Sequence, residues 1–394
     1  MSLNRRDFLL SEAGRENVVV RTSGPETQQA AVPVARQTGI RKVIYDQDHR
    51  GPLSTDTVGT LMMLQADNID LLGITTVAGD NWVKQETAYA LRLLELMGRT
   101  EVPVFQGADA PLLNTKAEAH MRYQMFGARR SGEGFLGAMN KDHWGPDEVR
   151  PLPPPYNEFA KTKAQPEHAV DFIIRTVRAH PHEVTIYCGG PLTNLALAAA
   201  MAPDIVPLTQ EVVFMGGGIH HATSSVNVYF DAEAAKMAFR APWPKFTIVL
   251  TDLAETVHMG DDGKVDYIVE HAHQPIADLF RLYEQKPHRD NPERRWFRMP
   301  DEMMAAQIID PTIFTDSSWM YADVFTENDG HYGDTGFWDI NWDQGDKASP
   351  RFGQNRPPVK AGKVLILKDL DKKRFKDLFV DLMTKPIRKP RRNS

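Results

Sequence analysis

The chain is organised around residues 43–59, which read Val43-Ile44-Tyr45-Asp46-Gln47-Asp48-His49-Arg50-Gly51-Pro52-Leu53-Ser54-Thr55-Asp56-Thr57-Val58-Gly59. The apolar run at residues 42–45 predicts a buried strand, and it breaks directly into an acidic loop that contains glycine and proline. A helical apolar spacing returns over residues 55–66, with Ser54 or Thr55 placed to cap the helix. The loop is therefore expected at the carboxyl end of a strand.

Three aspartates, Asp46, Asp48 and Asp56, lie in this loop, and carboxylates so close together repel one another unless a cation, donors or solvent offset their charge. Carboxylate, backbone and water oxygens suit calcium or magnesium, and no nearby Cys or His cluster indicates zinc. The residues alone leave two interpretations open. One is a divalent cation site, and the other is a solvated acidic loop beside a helix N-cap.

Composition limits the class of protein. With 394 residues, 42% hydrophobic and 25% charged, the chain has the make-up of a globular protein with one large domain or two smaller ones. A formal charge of −6 argues against a nucleic-acid partner, because the phosphate backbone requires a basic surface. No stretch is long and apolar enough to span a bilayer, so no membrane partner is expected. The basic tract at residues 385–392 is interpreted as a frayed, solvated tail, and the single cysteine, Cys188, as a packed thiol.

The amino terminus carries Asn4-Arg5-Arg6-Asp7-Phe8-Leu9-Leu10, which is similar to the start of a twin-arginine export signal. Charged residues interrupt the apolar segment that should follow, and the sequence up to Gly39 is rich in Ser, Thr, Gln, Pro and Ala. We interpret residues 1–40 as a leader or disordered extension. A periplasmic location is one reading of this leader, and a cytoplasmic location is the alternative.

Strand-like and helix-like patterns alternate from residue 41 onward. Strands are predicted at 42–45, 69–77, 102–105, 183–188, 211–215, 245–250, 320–326 and 364–367. Helices are predicted at 55–66, 83–97, 166–179, 192–201, 231–240, 264–285, 301–309 and 373–383. Residues 112–165 are less regular and are interpreted as an insertion that could cover a site. The predicted fold class is α/β, with an open, mainly parallel Rossmann-like sheet flanked by helices.

Polar and glycine-containing segments follow several predicted strands. Ala78-Gly79-Asp80-Asn81 follows the second strand, and residues 189–194 and 215–218 follow two later ones. In an open parallel sheet, ligands bind beyond the carboxyl ends of the strands where the strand order reverses, so these segments are expected to share one site. Each glycine cluster alone indicates a tight turn, and none matches a phosphate-binding loop. No nucleotide phosphate is therefore expected.

Taken together, these motifs resemble the calcium-dependent nucleoside hydrolases of the inosine–uridine-preferring type. Members of that family open with Asp-x-Asp-Pro-Gly-x-Asp-Asp after the first strand, and the matching loop here, residues 46–56, is longer by a small insertion. The resemblance continues through residues 74–79, 90–96, 102–107, 190–196 and 227–235, in the family's order. It implies a nucleoside hydrolase-like domain at residues 41–345, followed by a strand, a helix and a basic tail at 346–394.

The resemblance also implies a calcium (Ca2+) site, with the Asp48 and Asp56 carboxylates, the Thr193 carbonyl and Asp301 as ligands. Asn227 and either Asp80 or Asn81 match ribose-binding residues, and Asp46 matches an acid that supports the ligands. The implied reaction is hydrolysis of the N-glycosidic bond of ribonucleosides to free base and ribose, with the water activated by the metal and by Asp48. The implied partner is a small nucleoside, and homo-oligomer formation is left open.

Three positions depart from the family pattern. Thr55 replaces a ribose-gripping acid, Ser225 replaces an acid ahead of Asn227, and Pro300 replaces the histidine that assists the leaving base. Candidate replacements for that histidine are His220, His221, His258, Arg294 and Arg295.

Two other functions stay open. A degenerate family member would bind calcium and a riboside or other sugar ligand without hydrolysing nucleosides. A phosphoryl-transfer hydrolase built on Asp46 and Asp48 is disfavoured, because Arg50 and Gly51 occupy its loop.

Overall fold

The computed structural model describes residues 39–51, 54–127, 145–219, 225–259, 262–284, 297–342 and 357–390. Residues 1–38 of the predicted leader, and the candidate donors His220, His221, Arg294 and Arg295, lie outside these ranges.

The described chain alternates between strands and helices. The strands are β1 (Arg41–Gln47), β2 (Ile69–Thr76), β3 (Val104–Gln106), β4 (Val184–Cys188), β5 (Glu211–Met215), β6 (Phe246–Val249), β7 (His258–Met259), β8 (Phe297–Arg298), β9 (Phe314–Val324), β10 (Thr335–Asp339) and β11 (Gly362–Leu370). The helices are α1 (Thr55–Gln65), α2 (Val83–Leu96), α3 (Lys116–Phe126), α4 (Ala169–Ala179), α5 (Thr193–Met201), α6 (Ile205–Leu208), α7 (Val226–Phe230), α8 (Ala232–Arg240), α9 (Thr251–Ala254), α10 (Lys264–His271), α11 (Ile276–Glu284), α12 (Pro300–Ile309) and α13 (Lys372–Thr384).

Nine of the described strands form one sheet in the order β10-β9-β11-β6-β5-β4-β1-β2-β3. The strands from β11 to β3 in this order pair in parallel with one another, whereas β9 pairs antiparallel with both β11 and β10. The chain moves outward from β1 through β2 to β3 and then returns to β4 on the other side of β1. The strand order therefore reverses between β1 and β4, and the predicted α/β class is confirmed.

Alternate side chains of β1 pack on opposite faces of the sheet. Val43 and Tyr45 belong to a cluster that includes apolar residues of α1, α12 and α13, whereas Ile44 belongs to a cluster that includes residues of α4, α5 and α8. The helices cover both faces, so β1 is buried on each side. This explains why its sequence is a continuous apolar run and not an alternating one.

The structure corrects one helix prediction. Residues 264–285 were expected to form one long polar helix, but α10 and α11 are separate helices. Pro275 lies at the break, where a proline cannot donate the helical hydrogen bond and its ring clashes with the preceding turn.

A second correction concerns the basic tail, of which residues 385–390 are described. Arg388 is held against the end of α1, where its Nη1 donates to the carbonyl of Ala66 at 2.6 Å. The buried Gln65 accepts from the Arg388 amide at 2.9 Å and donates to the Leu382 carbonyl at 3.2 Å. This part of the tail is therefore packed against the first helix and is not a frayed, solvated end.

The predicted insertion at residues 112–165 contains one helix, α3, among its described residues. Its first residues lie against the start of α8, because the Leu112 amide donates to Asp231 at 3.0 Å and Asn114 donates to the Phe230 carbonyl at 3.0 Å. Across the described residues, no helix combines the length and apolar character needed to cross a bilayer.

Candidate active site

The end of β1 places Asp46 at the reversal of strand order. In register, Asp46 lies beside Thr75 of β2 and Cys188 of β4. Its Oδ1 accepts hydrogen bonds from Thr75 Oγ1 at 2.5 Å and from Asn194 Nδ2 at 2.7 Å, whereas its buried Oδ2 has no hydrogen-bond partner. Burial raises the pKa of Asp46 to about 7, although both donors lower it. Asp46 therefore joins the ends of β1 and β2 to the start of α5 beneath the site.

Asp48 lies between two glycines of neighbouring loops. A Cβ atom on Gly79 would lie 2.2 Å from Asp48 Oδ2, and a Cβ on Gly190 would lie 2.9 Å from its Oδ1. The Asp80 amide donates to Asp48 Oδ2 at 3.0 Å. Both glycines are therefore required by the close approach of backbone to this carboxylate.

The start of α1 differs from the predicted capping arrangement. Ser54 occupies the N-cap position, but its side chain accepts no capping hydrogen bond. Ser54 Oγ instead donates to Asp56 Oδ2 at 2.5 Å, and the Arg50 amide donates to the same oxygen. The loop and the first turn of α1 thus hold the Asp56 carboxylate between them.

α12 brings Asp301 to α1. Thr55 Oγ1 donates to Asp301 Oδ2, and the Tyr187 hydroxyl of β4 lies 3.3 Å from Asp301 Oδ1. Gly59 permits this approach, because a Cβ there would lie 2.8 Å from the Tyr45 hydroxyl and 3.2 Å from Asp301 Cβ. Asp301 therefore reaches the strand ends from a helix far away in the sequence.

Four buried or nearly buried carboxylates share one electrostatic environment. Burial is the largest cause of the raised pKa of Asp48, Asp56, Asp80 and Asp301. Neighbouring acids raise the pKa of Asp48 further, through the charges of Asp80, Asp56 and Asp301. The pKa of Asp301 rises to about 7 through burial and Asp56, and that of Asp80 to about 6 through burial, although Arg50 lowers it. Arg50 Nη1 lies 3.6 Å from Asp80 Oδ2. When its acids are ionised, the cluster therefore has a net negative charge.

The carboxylate oxygens of Asp48, Asp56, Asp80 and Asp301, together called the acidic rim, are suitable ligands for a hard cation. Carboxylates that are buried together and raise one another's pKa gain stability from a divalent ion, and oxygen donors are those that calcium and magnesium select. However, no group of His, Cys, Asp or Glu side chains in the described residues is arranged so that it could hold a metal ion as it stands. The calcium ligand set stays a prediction, while the structure does bring Asp48, Asp56 and Asp301 into one acidic cluster.

Other predicted site residues hold the rim together. Thr193 begins α5 and its hydroxyl donates to Asp231 Oδ2 at 2.6 Å. Asn227 Nδ2 donates to the carbonyls of Gly189 at 2.5 Å and Met215 at 3.1 Å, which joins the ends of β4 and β5. Asn81 Nδ2 donates to the His49 carbonyl at 3.2 Å. The side-chain amides of Asn227 and Asn81 therefore hold these main-chain carbonyls in place, in addition to any contact with a sugar.

The sequence interpretation missed two buried glutamates. Glu86 accepts from the Asn81 amide at 2.8 Å, and burial followed by the charge of Asp48 raises its pKa well above the ordinary value. Glu302 is fully buried, neither of its carboxylate oxygens has a hydrogen-bond partner, and burial also raises its pKa. No sequence signal separated them from ordinary polar helix residues, because both lie in segments that read as helical.

One candidate donor for the leaving base lies among the described residues. His258 in β7 pairs with Arg298 in β8, and β8 leads directly into α12. Pro300 is the first residue of α12, so its missing amide hydrogen costs nothing there, but it offers no side-chain donor. His258 is thus close in the fold to the position where the histidine is absent.

Fold and site together define an α/β protein with an acidic cluster at the reversal of strand order in a Rossmann-type sheet. The sequence profile described as "Inosine-uridine preferring nucleoside hydrolase" matches residues 43–377. The chain belongs to this family, whose members are hydrolases that act on N-glycosyl bonds.

Curated relatives agree with this assignment. The inosine-uridine preferring nucleoside hydrolase of Crithidia fasciculata is 30% identical over 70% of this chain and 81% of its own length. The pyrimidine-specific ribonucleoside hydrolase RihB of Escherichia coli is 30% identical over 61% of this chain and 68% of its own. An uncharacterised protein of Schizosaccharomyces pombe is 34% identical over 55% of this chain, and the match spans 63% of the relative's length.

Solved structures of nucleoside hydrolases have the same fold. The plant nucleoside hydrolase PpNRh1 superposes with a TM-score of 0.68 at 22% identity, covering 88% of this chain and 99% of that one. The purine-preferring ribonucleoside hydrolase from Gardnerella vaginalis gives a TM-score of 0.63 at 22% identity over 87% and 98% of the two chains.

Proposed function

We propose that this protein hydrolyses the N-glycosidic bond of ribonucleosides to free base and ribose, with a calcium ion at the acidic rim. The observation that carries the proposal is the buried carboxylate set Asp48, Asp56 and Asp301 at the reversal of strand order, in a chain whose family match spans residues 43–377. Asp48, Asp56, Asp301 and the Thr193 carbonyl would hold the ion. When bound, the ion supplies positive charge that keeps these carboxylates ionised and attracts oxygen atoms of sugar and water.

Asp48 is the residue that we assign as general base. Its carboxylate is fixed between Gly79 and Gly190 and by the Asp80 amide, so its orientation is set before substrate arrives. In its ionised form it would accept a proton from the attacking water at Oδ1 or Oδ2. General bases of this kind contribute about 10²- to 10⁴-fold to a rate.

Breaking an N-glycosidic bond builds positive charge on the ribose ring, as in other glycoside hydrolyses. The acidic rim, including Asp80, would stabilise that charge. Asp46 would act from beneath, because its bonds to Thr75 and Asn194 keep the ends of β1 and β2 and the start of α5 in register. The side chains of Asn227 and Asp80 are proposed to contact the ribose.

A second candidate function is binding of calcium and a riboside or other sugar ligand without hydrolysis. The observation that favours it is Pro300, which leaves the start of α12 without a side-chain donor for the departing base. This alternative keeps the acidic rim and loses only the reaction.

A reducing-sugar assay across purine and pyrimidine nucleosides tests the two functions. We expect ribose release from at least one nucleoside when calcium is added, and its loss when the cation is removed by a chelator. Ribose release that continues undiminished in chelator would reject the cation requirement. Binding of a nucleoside with no ribose release across the whole panel would reject hydrolysis and favour the second function.

A further inference from the structure

Arg50 lies within the loop that joins β1 to α1. Its backbone amide donates to Asp56 Oδ2, which anchors the residue beside one carboxylate of the rim. Its guanidinium extends to the other side of the rim, where Nη1 lies 3.6 Å from Asp80 Oδ2. The Asp80 amide in turn bonds Asp48 at 3.0 Å. Arg50 therefore bridges the Asp56 side of the cluster and the Asp48–Asp80 side.

Arg50 places a positive charge beside the acidic cluster, within 3.6 Å of Asp80. The Arg50 side chain is 36% exposed, so it has a route to solvent that the nearly buried carboxylates lack. A partly exposed positive charge thus lies beside the carboxylates that are proposed to hold a divalent cation.

We propose that the Arg50 guanidinium is the resident counter-charge of the acidic rim while no divalent cation is bound, and that a binding cation displaces it toward solvent. Arg50 is on this view a positioning residue that sets how tightly the rim takes up a cation. The inference rests on the proposed function only for the presence of a cation site. It does not depend on which nucleoside is hydrolysed, or on whether one is.

The test is calcium titration by calorimetry of chelator-stripped, substrate-free full-length protein. Arg50→Gln is expected to lower the calcium Kd about tenfold, the effect of removing one unit charge that faces a divalent ion across roughly 6 Å in a water-like dielectric. The gain in calcium affinity of Arg50→Gln should become smaller as ionic strength rises. Arg50→Lys keeps the charge and should stay within about twofold of the wild type, by the same Coulomb relation. Arg50→Ala is measured in parallel, so that the result does not depend on the folding of one variant.

Arg178→Gln is the matched control. Arg178, in the last turn of α4, forms an exposed pair with Asp204 at the opposite end of the sheet from the rim, and its removal should leave the calcium Kd unchanged. A second measurement is thermal unfolding. Without calcium, the Arg50→Gln melting temperature should fall below that of the wild type, and added calcium should raise it by more.

The outcomes separate this inference from the reaction. A Kd for Arg50→Gln and Arg50→Ala that equals or exceeds that of the wild type overturns it, even if nucleosides are hydrolysed. Tighter calcium binding by both variants supports it, even if no nucleoside is hydrolysed. Absence of calcium binding in the wild type and in all variants rejects both the inference and the calcium requirement.

Discussion

At the scale of single residues, Asp48 is the side chain on which the proposed reaction depends. Asp48→Asn removes the general base and one negative charge while keeping the shape of the side chain. We expect kcat to fall by about 10²- to 10⁴-fold at saturating calcium. Steady-state ribose release measures this, with Asp204→Asn as a control because that carboxylate lies in an exposed pair remote from the rim. Near wild-type turnover by Asp48→Asn would mean that another group activates the water.

A substitution at Gly79 tests the position of the Asp48 carboxylate and not its charge. Gly79→Ala would place a Cβ 2.2 Å from Asp48 Oδ2, so the carboxylate must move. A displacement of this kind is expected to lower kcat/KM by about 10²-fold. Gly145→Ala is the matched control, since a Cβ at that position meets no atom within 4 Å. Equal activity of the two folded variants would show that the position of Asp48 is not critical.

Most acids of the site were predictable from the sequence, but their neighbours were not. Asp48 and Asp56 belong to one loop, so local sequence was enough to bring them together. Asp301 was found through the family resemblance, because its approach depends on Gly59 and the packing of α12 on α1. The backbone contacts of Asn227 and the burial of Glu302 depend on tertiary packing, for which a sequence pattern carries no signal.

At the scale of elements, the amino ends of β1 and β5 are joined by a buried ion pair on the side of the sheet away from the rim. Glu211 accepts from Arg41 at 3.0 Å and pairs with Lys245 at 2.8 Å. Glu211→Gln leaves Arg41 without its charge partner, and we expect the free energy of unfolding to fall by about 3 kcal/mol. Urea unfolding measures this change.

Glu183→Gln is the control for that prediction. Glu183 pairs with Lys42 at 2.5 Å at the same end of the sheet, but this pair is exposed and should change stability little. If both variants are equally stable, burial of the Glu211 pair does not matter to folding.

The same pair predicts a dependence on pH. Burial raises the pKa of Glu211, but Lys245 and Arg41 lower it more, so its pKa lies below the ordinary value for Glu. Its contribution to stability is present above the ordinary pKa and is lost as pH falls through the lowered value. The unfolding midpoint of the wild type should therefore fall as pH falls from the ordinary Glu pKa through the lowered value. The midpoint of Glu211→Gln should fall less over the same range. Parallel curves for the two proteins would contradict this assignment.

Element prediction succeeded where periodicity and local signals agreed. β5 was predicted at its observed bounds, because four apolar positions follow Glu211 and the run is bounded by turn signals. The helix predicted at residues 264–285 was wrong, because the periodic pattern of two adjacent helices was joined across Pro275. The two short strands β7 and β8 were missed, since two residues carry no periodicity.

At the scale of the whole molecule, the missing histidine predicts which leaving groups the enzyme can expel. A purine or pyrimidine anion needs a proton or a strong hydrogen bond to depart, whereas an activated aryl group does not. We expect kcat/KM for an activated aryl riboside to be at least comparable to that for inosine. Measurement of both constants across pH tests this expectation.

The contrary outcome is specific. A strong preference for inosine, with kcat/KM falling as pH rises through the imidazole pKa of about 6.5, would mean that a relocated histidine protonates the base. His258 is the described candidate, and His258→Ala should then lose activity on inosine but not on the aryl riboside. The idea of unassisted departure would have to be dropped.

The parallel part of the sheet was predictable as a class because strands and helices alternate along the sequence. The alternation did not give the position of the last strands. β11 pairs in parallel with β6 and antiparallel with β9, and no local pattern at residues 362–370 distinguishes this central position from an edge. Long-range pairing of this kind is decided by the packing of the finished sheet.

The position of β11 has a consequence for how the protein is made. Because synthesis proceeds from the amino terminus, β6 and β9 leave the ribosome well before the strand that lies between them. Until residues 362–370 emerge, each presents an open edge with unpaired amide and carbonyl groups, which can recruit strands of other nascent chains. A chain stopped before β11 would therefore not be a smaller working enzyme. It would have two unfilled edges at the centre of its sheet, and its expected fate is aggregation.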